Sequence, residues 1–150
     1  MLKKRIRIIV LLIILALLLC GFILYPSISV KKVNVGDEQF SVPSQYKVEN
    51  VSDNLVKLSS GDSVYFMTEK ENNNIKYFVK KYVNLKKSAD NQSVNITHLD
   101  YESTQIYKSV VSDNSSVVHY WFVKNGKGYE IYTGTADSSS DEFIMNIIKS

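Results

Sequence analysis

The sequence predicts an α+β domain, an antiparallel β-sheet flanked by helices, standing behind one N-terminal transmembrane helix. Three observations predict it. A long apolar run follows a basic N-terminus, short β-type runs separated by turn clusters fill most of the remainder, and two segments repeat apolar residues at helical spacing.

The N-terminal element comes first. Lys3, Lys4, Arg5 and Arg7 precede an uninterrupted apolar stretch from Ile8 to Leu24, closed by Tyr25 and Pro26. At ~1.5 Å per residue such a run gives roughly 25 Å of helix, the short end of what spans a bilayer core. The basic residues place residues 1–7 in the cytoplasm and the rest of the chain outside, and Tyr25 sits where an interfacial aromatic belongs. A cleaved signal peptide has a shorter apolar region and a small-x-small site, for which only Ser27-Ile28-Ser29 would serve. A lipoprotein signal needs a small residue before its cysteine, and Leu19 precedes Cys20. The reading is a signal anchor over residues 8–25, in which Cys20 is an apolar filler within the bilayer, followed by a linker at 26–30 and an extracytoplasmic domain at 31–150.

Lys31–Val35 alternates before a turn at Gly36-Asp37, Gln39–Val42 stops at Pro43, and Tyr46–Val48 resumes. Leu55–Leu58 and Ser63–Thr68 flank the turn cluster Ser59-Ser60-Gly61-Asp62 and predict a hairpin. Ile75, Phe78, Val79, Tyr82 and Leu85 then mark one face of a helix, with Asn74 as N-cap and Lys86 and Lys87 at the end where they suit the helix dipole. Its opposite side carries Lys76, Lys80 and Lys81, either a solvated face or one that meets acidic headgroups or an acidic wall polymer. Val94–Leu99, Thr104–Val111, Val117–Val123 and Tyr129–Thr133 are rich in β-formers. Asn125-Gly126 between the last two is the type I′ hairpin signal, because that turn needs positive φ twice. Ser138–Lys149 reads as a terminal helix with a capping box, Ser139 and Glu142, and an apolar face of Phe143, Ile144, Ile147 and Ile148.

Composition bounds the function. The chain has 150 residues, 45% of them hydrophobic and 11% aromatic, which suits one globular domain rather than a disordered chain. Its single cysteine excludes a disulfide framework and multi-cysteine metal sites. The net charge of +3 is misleading: without the four basic residues of the anchor, 14 lysines face 15 acids, and arginine is absent. Nucleic-acid recognition favours a clear positive excess and arginine's fork, so nucleic acid is excluded as a partner.

No catalytic motif emerges. Gly61-Asp62-Ser63 lacks the strand–turn–helix setting of an esterase nucleophile. Asp141 and Glu142 are accounted for by helix capping, and Asp100 and Glu102 lie in a strand connection, leaving a hydrolase as the least favoured reading. His98 and His119 have no third ligand at a metal-site spacing, so the sequence implies no metal and no cofactor.

The Asn-Gly hairpin yields one sharper expectation. A two-residue loop sets Phe122 opposite Tyr129, Tyr120 opposite Ile131 and Val118 opposite Thr133, on the core face. The other face carries His119 opposite Tyr132 and Trp121 opposite Glu130, and a four-residue loop at Asp113–Ser116 would add Lys108 beside Trp121. Two readings stand. His119, Trp121, Tyr132 and Lys108 form a patch for sugar or peptide contact, or a helix covers this face and Trp121 belongs to a second core layer. Four N-x-Ser/Thr sequons, at Asn50, Asn91, Asn95 and Asn114, are candidate glycosylation sites on an outward-facing domain.

Phe40-Ser41-Val42-Pro43 followed by Tyr46 resembles the opening of Mog1/PsbP-like domains, with Gln45 where that family has a glycine. Gly128-Tyr129-Glu130-Ile131-Tyr132 and the terminal helix Phe143–Ser150 are similar to the family's close, so the resemblance spans most of residues 31–150. It implies an antiparallel sheet flanked by helices and a non-catalytic role, as an assembly or stability factor for a membrane complex or as a domain that binds a protein partner. No family contact residue maps onto a motif here. The expectation is therefore an anchored accessory or binding module, with the bilayer and another membrane or envelope protein as its partners; an envelope carbohydrate- or wall-polymer-binding module is the alternative.

Overall fold

The computed structural model describes residues 29–150 apart from 90, 102–103, 112–116 and 135–137. The apolar run at 8–25 and the sequon at Asn114 lie outside the described residues; among these, no helix is long and apolar enough to cross a membrane. The elements are β1 (Val30–Val35), β2 (Glu38–Pro43), β3 (Lys47–Ser52), β4 (Leu55–Ser60), β5 (Ser63–Glu69), α1 (Ile75–Ala89), β6 (Val94–Tyr101), β7 (Thr104–Val111), β8 (Val118–Lys124), β9 (Lys127–Thr133) and α2 (Ser138–Lys149). The α+β class holds. Val30, placed in the linker from sequence, already belongs to β1, and β3 runs on to Ser52 instead of stopping at Val48.

Strands β3 to β9 make one antiparallel sheet in the order β3-β4-β5-β9-β8-β7-β6, while among the described residues β1 and β2 pair only with each other. The long-range step is β5 against β9, which inserts the last strand between the two hairpin sets. Local turn chemistry closes the hairpins. Asn125 and Gly126 have φ of 49° and 79°, the two positive values a type I′ turn requires. At Gly61, φ is +56°; the loop there is just Gly61-Asp62, because Ser60 pairs directly with Ser63 and the expected four-residue cluster contributes two residues to strands.

Each face of the sheet has its own cover. On one face Phe122, Tyr129, Ile131, Leu58 and Met67 pack against Phe40 and Val42 of the β1–β2 hairpin and against Ile144 and Ile147 of α2. Phe40 meets Tyr129 edge-on at 5.3 Å. The hairpin and α2 are joined where the Ser41 N–H donates to Ser150 Oγ at 2.7 Å. On the other face Ile75 and Val79 of α1 pack on Tyr107 and Trp121, flanked by Phe78 and Tyr82. Asn74 caps α1 as expected, accepting the Tyr77 N–H at 3.2 Å. Leu85, assigned from its spacing to the buried face, is 56% exposed: the apolar contact with the sheet is made by the first two and a half turns.

Three further expectations are corrected. Helix α2 starts at Ser138, so Ser139 stands within its first turn instead of ahead of it. Asp141, assigned to capping, receives Lys108 Nζ at 2.7 Å on each oxygen and the Tyr120 hydroxyl. The β7–β8 register also differs by one residue from the expected one: Tyr107, not Lys108, faces Trp121, and Lys108 faces Tyr120. A one-residue shift moves every side chain of a strand to the opposite face. It gives Trp121 an aromatic neighbour in the second core layer and gives Lys108 a carboxylate in α2.

Candidate functional site

The β8–β9 register is the predicted one, with His119 opposite Tyr132 and Trp121 opposite Glu130. The structure therefore brings His119, Trp121 and Tyr132 together on the α1 face and removes Lys108 from it. Their rings form a ladder across three strands. Trp121 stacks on His119 at 5.3 Å and 9°, His119 on Tyr132 at 5.4 Å and 27°, and Tyr132 on Phe66 of β5 at 4.9 Å and 12°. Stacked in this way, the rings cover one another's flat faces. Trp121 is only 1% exposed, beneath α1. A sugar platform needs an open ring face, so the ladder reads as the second core layer, with Tyr132 and Phe66 half-buried at its outer end.

Glu130 is the charged residue in this layer, 8% exposed. Its two oxygens have different partners. Oε1 lies 2.6 Å from His119 Nδ1, and Oε2 accepts from Lys70 Nζ at 2.8 Å. Burial on its own would push the Glu130 carboxyl up; the hydrogen bonds from His119 and Lys70, with the charge they bring, outweigh it and hold the carboxyl below its ordinary value. Lys70 also sits 5.1 Å above the Phe78 ring, and the Tyr82 ring lies 4.4 Å from that of His119.

Backbone geometry delivers Lys70 to this position. Its N–H donates to the Gly128 carbonyl at 2.8 Å, drawing the β5–α1 connection onto β9. A side chain at Gly128 would run into the Asn72 carbonyl, so the close approach depends on glycine. The Asn72 side chain in turn accepts the Asn74 N–H at 2.9 Å, ahead of the Asn74 cap.

Beside the cluster lies a cavity of about 380 Å3 between α1 and the end of β5, its lining including Lys70, Phe78, Tyr82, Trp121 and Glu130. A second, of about 420 Å3, follows the outer flank of α1 along Tyr77, Lys80, Lys81, Asn84, Leu85 and Ser88. Tyr77, Lys81 and Leu85 border both, and Tyr77 and Leu85 are 53% and 56% exposed. Sequence reasoning placed Glu130, Phe78 and Tyr82 on the correct faces but missed Lys70. The available signal was a lone acid in an otherwise β-type run, which demands a cation when buried. Of the candidate sequons, Asn50, Asn91 and Asn95 are exposed, on β3, between α1 and β6, and on β6. No protein-family model matches this chain, and no curated protein matches it.

Proposed function

We propose that the chain is a single-pass membrane protein whose extracytoplasmic α+β domain, of the Mog1/PsbP-like style, is a non-catalytic accessory or binding module, and that the flank of α1 is its binding surface. The observation that carries this reading is the way the charged groups are used. Glu130, the buried acid, has one oxygen on His119 and the other on Lys70, and the imidazole is stacked between Trp121 and Tyr132. Groups so engaged hold α1 and the β5–α1 connection on the sheet. What they leave open is the recess along α1, rimmed by exposed Tyr77 and Leu85. Apolar side chains exposed beside a recess and ringed by polar ones are the usual composition of a contact surface.

The test is capture of the tagged full-length chain from chemically crosslinked membranes. The expected result is a discrete partner recovered from the membrane or envelope fraction and lost from a Tyr77→Ser/Leu85→Ser variant of unchanged stability. Recovery of the same partner with that variant would sink the assignment of this surface.

A further inference from the structure

Helix α1 contains Lys76, Lys80, Lys81, Lys86 and Lys87 and no acidic residue. Outside the anchor the chain has 14 lysines and 15 acids, so the remainder of the domain carries nine lysines against the 15 acids. A helix of charge +5 thus lies on a body of charge −6. Lys76, Lys80, Lys81 and Lys87 are exposed, and Lys80 and Lys81 border the outer cavity between Tyr77 and Leu85.

Resting on the reading of the α1 flank as the binding surface, we infer that its occupant is an extended polyanion, an envelope polymer bearing repeated carboxylate or phosphate groups. Charge complementarity supplies the attraction, and the residue type supplies the mode. Lysines are compact point charges on flexible stems, without the fixed fork by which arginine selects one pose, so a stripe of them suits a ligand whose charges repeat.

The direction of α1 separates this occupant from a flat anionic bilayer. The helix follows Lys70 and Gly128 at the end of the sheet that carries the Asn125-Gly126 turn, and it leads to Val94, which faces Val111 at the opposite end. Val30 lies at that opposite end too: Lys31 bonds the Tyr46 carbonyl, and the neighbouring Lys47 pairs with Ser59 beside the Gly61 turn. The chain thus enters at the end to which α1 points its last turn. Lys76 stands eleven residues, ~16 Å, further from that end than Lys87. That exceeds the ~8 Å over which a charged surface acts at physiological salt. A polymer lying along the helix reaches the exposed Lys76, Lys80, Lys81 and Lys87 in turn; a plane touching its last turn does not reach Lys76.

The experiment uses the full-length chain in phosphatidylcholine nanodiscs, with fluorescently labelled polygalacturonate and inorganic polyphosphate as probes and neutral dextran as control. Binding to at least one polyanion is expected, falling steeply between about 50 and about 200 mM salt. Lys76→Gln/Lys80→Gln/Lys81→Gln should weaken it by at least about tenfold, whereas Lys32→Gln/Lys47→Gln/Lys57→Gln, with the same change in net charge, should alter it less than about twofold. Binding equally weakened by both variants, or no binding to either polymer, overturns the proposal. So does α1-dependent binding confined to phosphatidylglycerol vesicles, or α1-dependent self-association in place of polymer binding. Loss of the polymer result with a membrane partner still captured through Tyr77 and Leu85 overturns only the polyanion and leaves the binding surface standing.

Discussion

The two faces of the sheet are built from the same strands and differ in almost everything else. Under α2 and the β1–β2 hairpin the layer is closed and mainly apolar, with Leu58, Phe122, Ile131, Ile144 and Ile147 at zero exposure, and its polar groups, Lys108, Asp141 and the Tyr120 hydroxyl, bond to one another where α2 meets the sheet. Under α1 the layer is aromatic and polar: a stacked histidine, a buried glutamate and a lysine from a connecting segment. The first face depends on non-directional burial, which tolerates no lost volume. The second adds directional bonds to the apolar packing of Ile75 and Val79, and together they hold one helix in one place and leave its flank uncovered. The contrast separates scaffold from working surface.

The strongest way to break this division is to empty the closed face. Phe122→Ala should cost about 3–5 kcal/mol, measured by urea unfolding of the chain in detergent, because its fully buried ring packs against both Phe40 and Tyr129. A loss below about 1 kcal/mol would show that this layer is not the scaffold. Next in size is Glu130→Ala, expected to cost about 3 kcal/mol by stranding Lys70 and His119 without their shared carboxylate. The pH dependence of the same bond has a definite sign. The folded Glu130 carboxyl is held below its ordinary value, so its stabilisation is complete above the unfolded value of about 4 and disappears as pH falls through the folded one. Glu130→Gln should therefore flatten the acid limb of the stability profile, and an unchanged limb would deny the carboxylate its role. Asn74→Ala should cost about 1 kcal/mol through the lost cap of α1, read from the same unfolding curves. The smallest effect is expected at Leu85→Ser, within about 0.5 kcal/mol of wild type, since an exposed side chain on the uncovered flank has little burial to lose.

Much of this fold was legible in the sequence because its signals are local. Asn125-Gly126 demands two positive φ values, and that single turn fixes the β8–β9 register and with it the faces of Trp121, His119, Glu130 and Tyr132. The helical spacing of Ile75, Val79 and Tyr82 likewise identified the buried stripe of α1. The readings that failed depended on distant partners. Lys108 fell on the wrong face because the β7–β8 register follows from Tyr107 joining Trp121, a packing preference that loop counting does not contain. Leu85 continues the apolar period, but the cover of α1 on the sheet ends before it. Glu130 called for a cation but could not single out Lys70, whose place depends on the Gly128 carbonyl, 58 positions along the chain.

The division between scaffold and working surface meets its most direct test in living membranes. A photo-crosslinking residue is placed in the full-length chain either at Tyr77, on the flank of α1, or at Gln39, exposed on the opposite hairpin. Covalent adducts with an envelope component should form from position 77 and not from position 39. Adducts from position 39 with none from position 77 would put the working surface on the other face and contradict the account.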